Sequence, residues 1–298
     1  MFKRKLNPKL LEKLICEKLF KEKLAKDIRS GLVFPAIRDD SIAFYHKGGR
    51  LFSYNQEGFV TNAKYASASH IDANDYVFES DLKKVKPIKN FPDGYSQIKK
   101  NCSFYSGKEA EGVSRIYSKY SYAMNKTTKN QTGILAFDIE VAFKSLPERV
   151  RKRSNKKTKR ASTDRIDLLL YNQKERKLKF YEAKHYSNSE IWSKEGELPE
   201  VITQVKDYKR QIKVSQKEIL EVYKKYTAIT NKLFEMEIEP PDNLDDEVCL
   251  LIFGFDKDQL HGKLKSTIKK IRERGDIQVY FRGGIETVDI NTMWKQAK

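Results

Sequence analysis

Cysteine is scarce in this chain of 298 residues: only Cys16, Cys102 and Cys249 are present. They are odd in number, far apart and never spaced as CxxC, which argues against a disulfide framework and a zinc site and fits a reducing, cytoplasmic environment. Long apolar runs are missing as well. No window of 18 or more apolar residues exists, and the opening MFKRKLNPKL lacks an apolar stretch of signal-peptide length. A soluble, intracellular protein without a membrane partner is therefore expected. Acidic residues are in deficit, 41 against 59 Lys and Arg, for a net charge of +18 and a pI near 9.5. Such an excess favours a polyanionic partner, because each Lys or Arg that meets a phosphate releases a condensed counterion. A merely Lys-rich surface is the plain alternative. Hydrophobic residues reach only 39%, yet Tyr and Phe number 16 each, so a packed core is available and a disordered chain is excluded.

The pattern along the chain suggests two domains without internal repeats. Asn7 is placed to cap a helix over 7–28, with Pro8 at its first position and Leu11, Leu14, Ile15, Leu19, Leu24 and Ile28 recurring near 3.6. SIAFYHKGGRLFSY reads as two strands around a turn at Lys47-Gly48-Gly49-Arg50. Residues 86–112 carry Pro87, Pro92, Gly94 and Gly107 and read as a linker or boundary. Residues 1–105 are thus expected to form a small α+β accessory domain, serving substrate selection, regulation or dimerisation. Residues 106–298 open with a helix near 108–125. Strands follow at 133–143, 165–172 and 177–186, a long helix at 199–235, a strand at 247–255, a helix at 259–274 and a strand at 277–282. That order describes an α/β (α+β) domain, a mixed sheet flanked by helices.

Three charged residues interrupt the apolar strands. In RIDLLLY, Asp167 shares a face with Leu169 and Tyr171; in KFYEAKHY, Phe180, Glu182 and Lys184 share one. Buried charges cost several kcal/mol unless paired or bound to metal. Two carboxylates on adjacent strands can hold a hard cation such as Mg²⁺, with help from the backbone carbonyl of Ala183. A neighbouring lysine can then polarise water and offset phosphate charge. The plain alternative is an ordinary cross-strand ion pair between Asp167 and Lys184, with Glu182 facing solvent.

Asp167, fourteen residues, then Glu182-Ala183-Lys184 resembles the core of the PD-(D/E)xK nuclease superfamily, over about residues 108–255. A second ExK, Glu175-Arg176-Lys177, lies in a polar turn, and Ile166 stands where the superfamily's name has proline. The resemblance implies a restriction-endonuclease-like sheet, Mg²⁺ or Mn²⁺ as cofactor, and hydrolysis of phosphodiesters, of DNA before RNA. It further implies a bacterial or phage-related restriction or antiviral defence enzyme, with a homodimer or a partner protein left open. A nucleic-acid-binding protein with an inactive nuclease fold is the competing reading.

By the same resemblance, Glu140 in AFDIEVAF is a further carboxylate ligand, with Asp138 on the same face as the substitute. Gln204 and Tyr208, four apart on one helical face, resemble the QxxxY signature of RecB-like members, whose helix contacts substrate or water beside the site. Tyr208 is otherwise a packed aromatic. Asp164 is an alternative to Asp167 outside the apolar run. His185 points to the opposite face and reads as structural, while Asn188 and Glu190 either position the site or cap a turn. KSLPERVRKRSNKKTKR (144–160) holds nine basic residues and one acid. Its Arg149, Arg151, Lys152, Arg153, Lys156, Lys157, Lys159 and Arg160 read as a phosphate-gripping arm, or else as a solvated loop.

Overall fold

The computed structural model describes residues 3–67, 72, 75–84, 88–124, 133–143 and 165–295. The chain is a mixed α+β protein with two five-stranded sheets, and it divides into two compact units. One takes Lys3–Gln131 and Tyr223–Pro240, the other Thr132–Val222 and Pro241–Lys298.

The first unit carries an antiparallel sheet in simple sequential order: β1 (Phe34–Arg38), β2 (Ser41–His46), β3 (Gly49–Asn55), β4 (Gly58–Asn62) and β5 (Tyr76–Phe78). The β2–β3 turn puts Lys47 at φ 45° and Gly48 at φ 85°, the left-handed pair that matches strand twist in a two-residue hairpin. The helix expected over 7–28 is broken. Asn7 caps α1 (Pro8–Cys16), accepting from the Lys9 amide at 3.0 Å, but Glu17 is extended at ψ 133°. A π-turn over Phe20–Leu24 and α2 (Ala25–Arg29) follow. The break resets the register, so Leu19, Phe20 and Leu24 are buried while Ile15 stays exposed.

The linker expected over 86–112 is largely helical instead, in α3 (Phe91–Phe104). Asn90 accepts from the Asp93 amide at 2.9 Å, and Pro92 sits in the first turn, where no amide hydrogen is required. Gly94 serves close packing: a Cβ there would stand 2.3 Å from Ile88 Cγ2. The next helix, α4 (Lys108–Tyr120), also belongs to this unit. Tyr117 accepts from the Gly48 amide at 3.0 Å and its ring lies 5.2 Å from that of Phe34. The contacts therefore divide the chain near residue 131, not near 105, and the helix expected to open the second domain packs on the first sheet.

The second unit contains β6 (Ile134–Ala142), β7 (Arg165–Asn172), β8 (Lys177–His185), β9 (Asn243–Phe253) and β10 (Val279–Arg282), in the order β10-β9-β8-β7-β6. β6, β7 and β8 form an antiparallel meander; β9 and β10 add in parallel to β8. The parallel joins need long connections. α5 (Glu200–Phe234) links β8 to β9, and α6 (Lys265–Gly275) links β9 to β10. Leu168, Leu169, Leu170 and Tyr171 are all fully buried, whichever face they take. A strand covered on both faces reads as a continuous apolar run, and a charge in such a run must be compensated.

Candidate active site

The site forms where β7 and β8 part. Their pairing runs from Asn172↔Lys177 to Leu168↔Tyr181. Continued by one residue, it places Asp167 opposite Glu182 on one face, with Leu250 of β9 beside Glu182. The backbone ladder stops there. Asp167 Oδ2 instead accepts from the Ala183 amide at 2.8 Å. In an extended strand the carbonyl of a residue faces the same edge as its amide, so that of Ala183 also looks toward β7.

Glu182 is 1% exposed. Its Oε1 accepts from Lys184 Nζ at 2.9 Å, whereas its Oε2 is buried with no hydrogen-bond partner. Burial, then the nearby Asp167 carboxylate, push the Glu182 carboxyl well above the ordinary value, with Lys184 pulling against them. Lys184 is 5% exposed, and it makes a second ion pair, to Glu190 Oε2 at 2.5 Å. Burial works against its charge, but Glu182 and Glu190 outweigh burial and hold it above its ordinary value. Glu190 is the more solvated of the two acids.

Glu190 comes from the short turn Ser189–Ile191, where Asn188 accepts from the Glu190 amide at 2.8 Å. Asn188 thus caps the turn, and Glu190 reaches the lysine. Sequence had left these two roles undivided; the Asn-x-Glu spacing just beyond the strand was the available signal. His185 bonds to Ser187 through Nδ1 at 2.8 Å.

α5 approaches the same face. Tyr208 is 1% exposed and donates to the Arg165 carbonyl at 2.8 Å. Its ring is near Phe143, which meets Phe180 at 5.5 Å. Gln204 Nε2 donates to the Tyr208 hydroxyl at 3.3 Å, and Gln204 Oε1 is buried without a partner. Tyr208, expected from the sequence as a nucleic-acid contact or else a packed aromatic, has its hydroxyl bonded to the start of β7.

Glu140 and Asp138 diverge. Glu140 has φ 49° and pairs with Arg165 at 3.2 Å on a partly exposed surface. Asp138 is fully buried, its Oδ1 accepting from the Ile139 amide at 2.8 Å. A bulge between Ala136 and Asp138 precedes both. Arg149, Arg151, Lys152, Arg153, Lys156, Lys157, Lys159, Arg160 and Asp164 lie outside the described residues.

Among the described residues, no group of three or more His, Cys, Asp or Glu side chains is gathered as a metal-ion cage. Two carboxylates, one with an orphaned oxygen, nevertheless suit a hard cation that retains several waters. No family model, no curated protein and no solved structure matches this chain.

Proposed function

We propose that the second unit is a metal-dependent nuclease of the PD-(D/E)xK type, with a restriction-endonuclease-like sheet. The observation that carries this reading is Glu182: a buried carboxylate, one oxygen unpartnered, facing Asp167 across the end of the β7–β8 ladder and paired with Lys184. A protein gains nothing in stability from such an oxygen, so ligand binding is the better explanation. Asp167, Glu182 and the Ala183 carbonyl would hold Mg²⁺ or Mn²⁺, with Asp138 or Glu140 as a further ligand. When bound, the ion supplies Lewis-acid stabilisation of charge on a phosphodiester.

The chain's own residues do the rest. Lys184, held above its ordinary value by Glu182 and Glu190, offers N–H donors to the attacking water or to a phosphate oxygen. Gln204 presents a free amide oxygen able to orient water. Tyr208 fixes the helix that carries it. The net charge of +18 concentrates a polyanionic substrate. DNA is the substrate class proposed, in a restriction or defence setting, on the strength of the resemblance.

The test is cleavage of supercoiled plasmid, single-stranded DNA and RNA with Mg²⁺, Mn²⁺ or EDTA. Asp167→Ala and Lys184→Ala are expected to fold and lose at least a hundredfold in rate. Cleavage by both variants at the wild-type rate rejects the site. The lack of a three-ligand cluster among the described residues favours a second reading, an inactive fold that only binds nucleic acid. That reading predicts metal-independent binding without cleavage.

A further inference from the structure

The Lys3–Gln131 unit has its own unexplained surface. Phe104 and Tyr105, at the end of α3, are 81% and 51% exposed, and Tyr76 on the edge strand β5 is 47% exposed. The β4–β5 register brings Tyr76 opposite Asn62, the residue that organises the following turn. Asn62 Oδ1 accepts from the Lys64 amide and its carbonyl from the Tyr65 amide. The turn delivers Lys64 between two rings, with Nζ 5.0 Å from the centre of Tyr105 and 5.5 Å from that of Tyr65. Tyr65 is buried and lies 6.2 Å from Tyr105, with Phe104 5.2 Å beyond at a right angle. Asn101 fastens α3 to the turn by donating to the Tyr65 carbonyl at 2.8 Å. On the strand side, the Arg50 guanidinium covers Tyr76 at 5.9 Å.

This arrangement does little for folding. Phe104 is mostly exposed and Tyr105 and Tyr76 are about half exposed, so much of their ring area stays in solvent, and among the described residues neither Lys64 nor Arg50 is in an ion pair. Three exposed rings interleaved with two uncommitted cations match single-stranded nucleic acid. Its bases present flat π-faces in any sequence, and its phosphates take the cations. A protein partner would need a broad apolar patch, which cations set among the rings break up.

We propose that this aromatic and basic surface binds single-stranded nucleic acid by base stacking on Phe104, Tyr105 and Tyr76, with Lys64 and Arg50 meeting the backbone. The inference rests on the nucleic-acid reading above but not on catalysis. It gives the N-terminal unit the role of holding unpaired strand.

The experiment is fluorescence anisotropy of the full chain with labelled dT20, in EDTA, across a salt series, with far-UV circular dichroism as the folding check. Phe104→Ala/Tyr105→Ala is expected to weaken binding tenfold or more with its salt slope unchanged, since stacking releases no counterions. Lys64→Gln/Arg50→Gln is expected to flatten the slope, each cation counting for about 0.7 on single strands. Phe104→Trp is expected to keep binding, with its indole emission quenched by dT20. Wild-type affinity in the double alanine variant overturns the inference, as does absence of quenching. So does a loss of self-association with DNA affinity intact, which would make the surface a contact between copies. Cleavage by a chain whose double alanine variant binds normally removes this inference and leaves the nuclease; stacking without cleavage does the reverse.

Discussion

Glu182→Gln should abolish cleavage and stabilise the metal-free protein. Glu182 is 1% exposed, and burial together with Asp167 raises its carboxyl well above the ordinary value of 4.5. Ionising it in the fold is therefore costly. For a carboxyl so raised, the stability penalty is absent below the unfolded value and grows as pH rises above it toward the folded value. Between 4.5 and pH 7 lie about 2.5 pH units at about 1.4 kcal/mol each, which sets a ceiling of about 3.5 kcal/mol. The amide removes that penalty. Its oxygen still accepts from Lys184, and its N–H₂ replaces a carboxylate oxygen that has no partner. A gain of about 1–3 kcal/mol is expected near neutral pH in EDTA, shrinking to almost nothing near pH 4.5. The assay is urea unfolding followed by tryptophan emission, because Trp192 and Trp294, the chain's two tryptophans, both belong to the unit that holds the site. Saturating Mg²⁺ should reverse the order. Wild type gains about 2.7 kcal/mol at a hundred times its dissociation constant and the variant gains little. A variant less stable than wild type at neutral pH, with the same deficit at pH 4.5, refutes the reasoning. It would make Glu182 a stabilising ionised partner of Lys184 and not a group held in reserve for a cation.

Tyr208→Phe should cost about 1–2 kcal/mol, since it strands the Arg165 carbonyl and the Gln204 amide, and should leave DNA affinity unchanged. Weaker DNA binding at unaltered stability would restore Tyr208 as a substrate contact. His46 is 5% exposed and its Nδ1 faces the Leu32 carbonyl at 2.8 Å, while burial pulls it below its ordinary value of 6.5. Its neutral form belongs to the fold, so its contribution is complete above pH 6.5 and is lost as pH falls below that. His46→Gln should flatten the decline in stability between pH 7.5 and 5.5, measured by urea unfolding with circular dichroism; an equal decline refutes it.

The second sheet was legible because burial on both faces writes an unmistakable run. Residues 165–172 and 177–186 were drawn from the sequence within a residue of their observed ends, and Asp167 and Glu182 stood out as charges inside them. The first unit was less legible where backbone detail decided the outcome. Pro92 and Gly94 look like linker residues, yet one occupies a helix's first turn and the other makes room for Ile88. Periodicity ran through Glu17 because side-chain spacing carries no mark of a break that burial of Leu19 and Phe20 imposes from outside. The partner of Lys184 was hidden for a similar reason: Glu190 lies in a three-residue turn whose direction depends on the Asn188 cap.

Asp138 and Glu140 show where strand parity stops being informative. Two residues apart, both belong to the face of Asp167, and a sequence can say no more. The left-handed backbone at Glu140 then separates them. A left-handed glutamate is unusual enough to need support, and Arg165 provides it by pairing with the carboxylate at the partly exposed edge. Asp138 meanwhile is closed off completely. Parity assigned the face; the backbone at Glu140 goes with the difference in depth. A carboxylate already neutralised by arginine has less negative charge to give a cation than a carboxylate buried two residues away on the same face. That argument moves the further ligand from Glu140 to Asp138, and cleavage by Glu140→Gln with loss in Asp138→Asn is the outcome it requires.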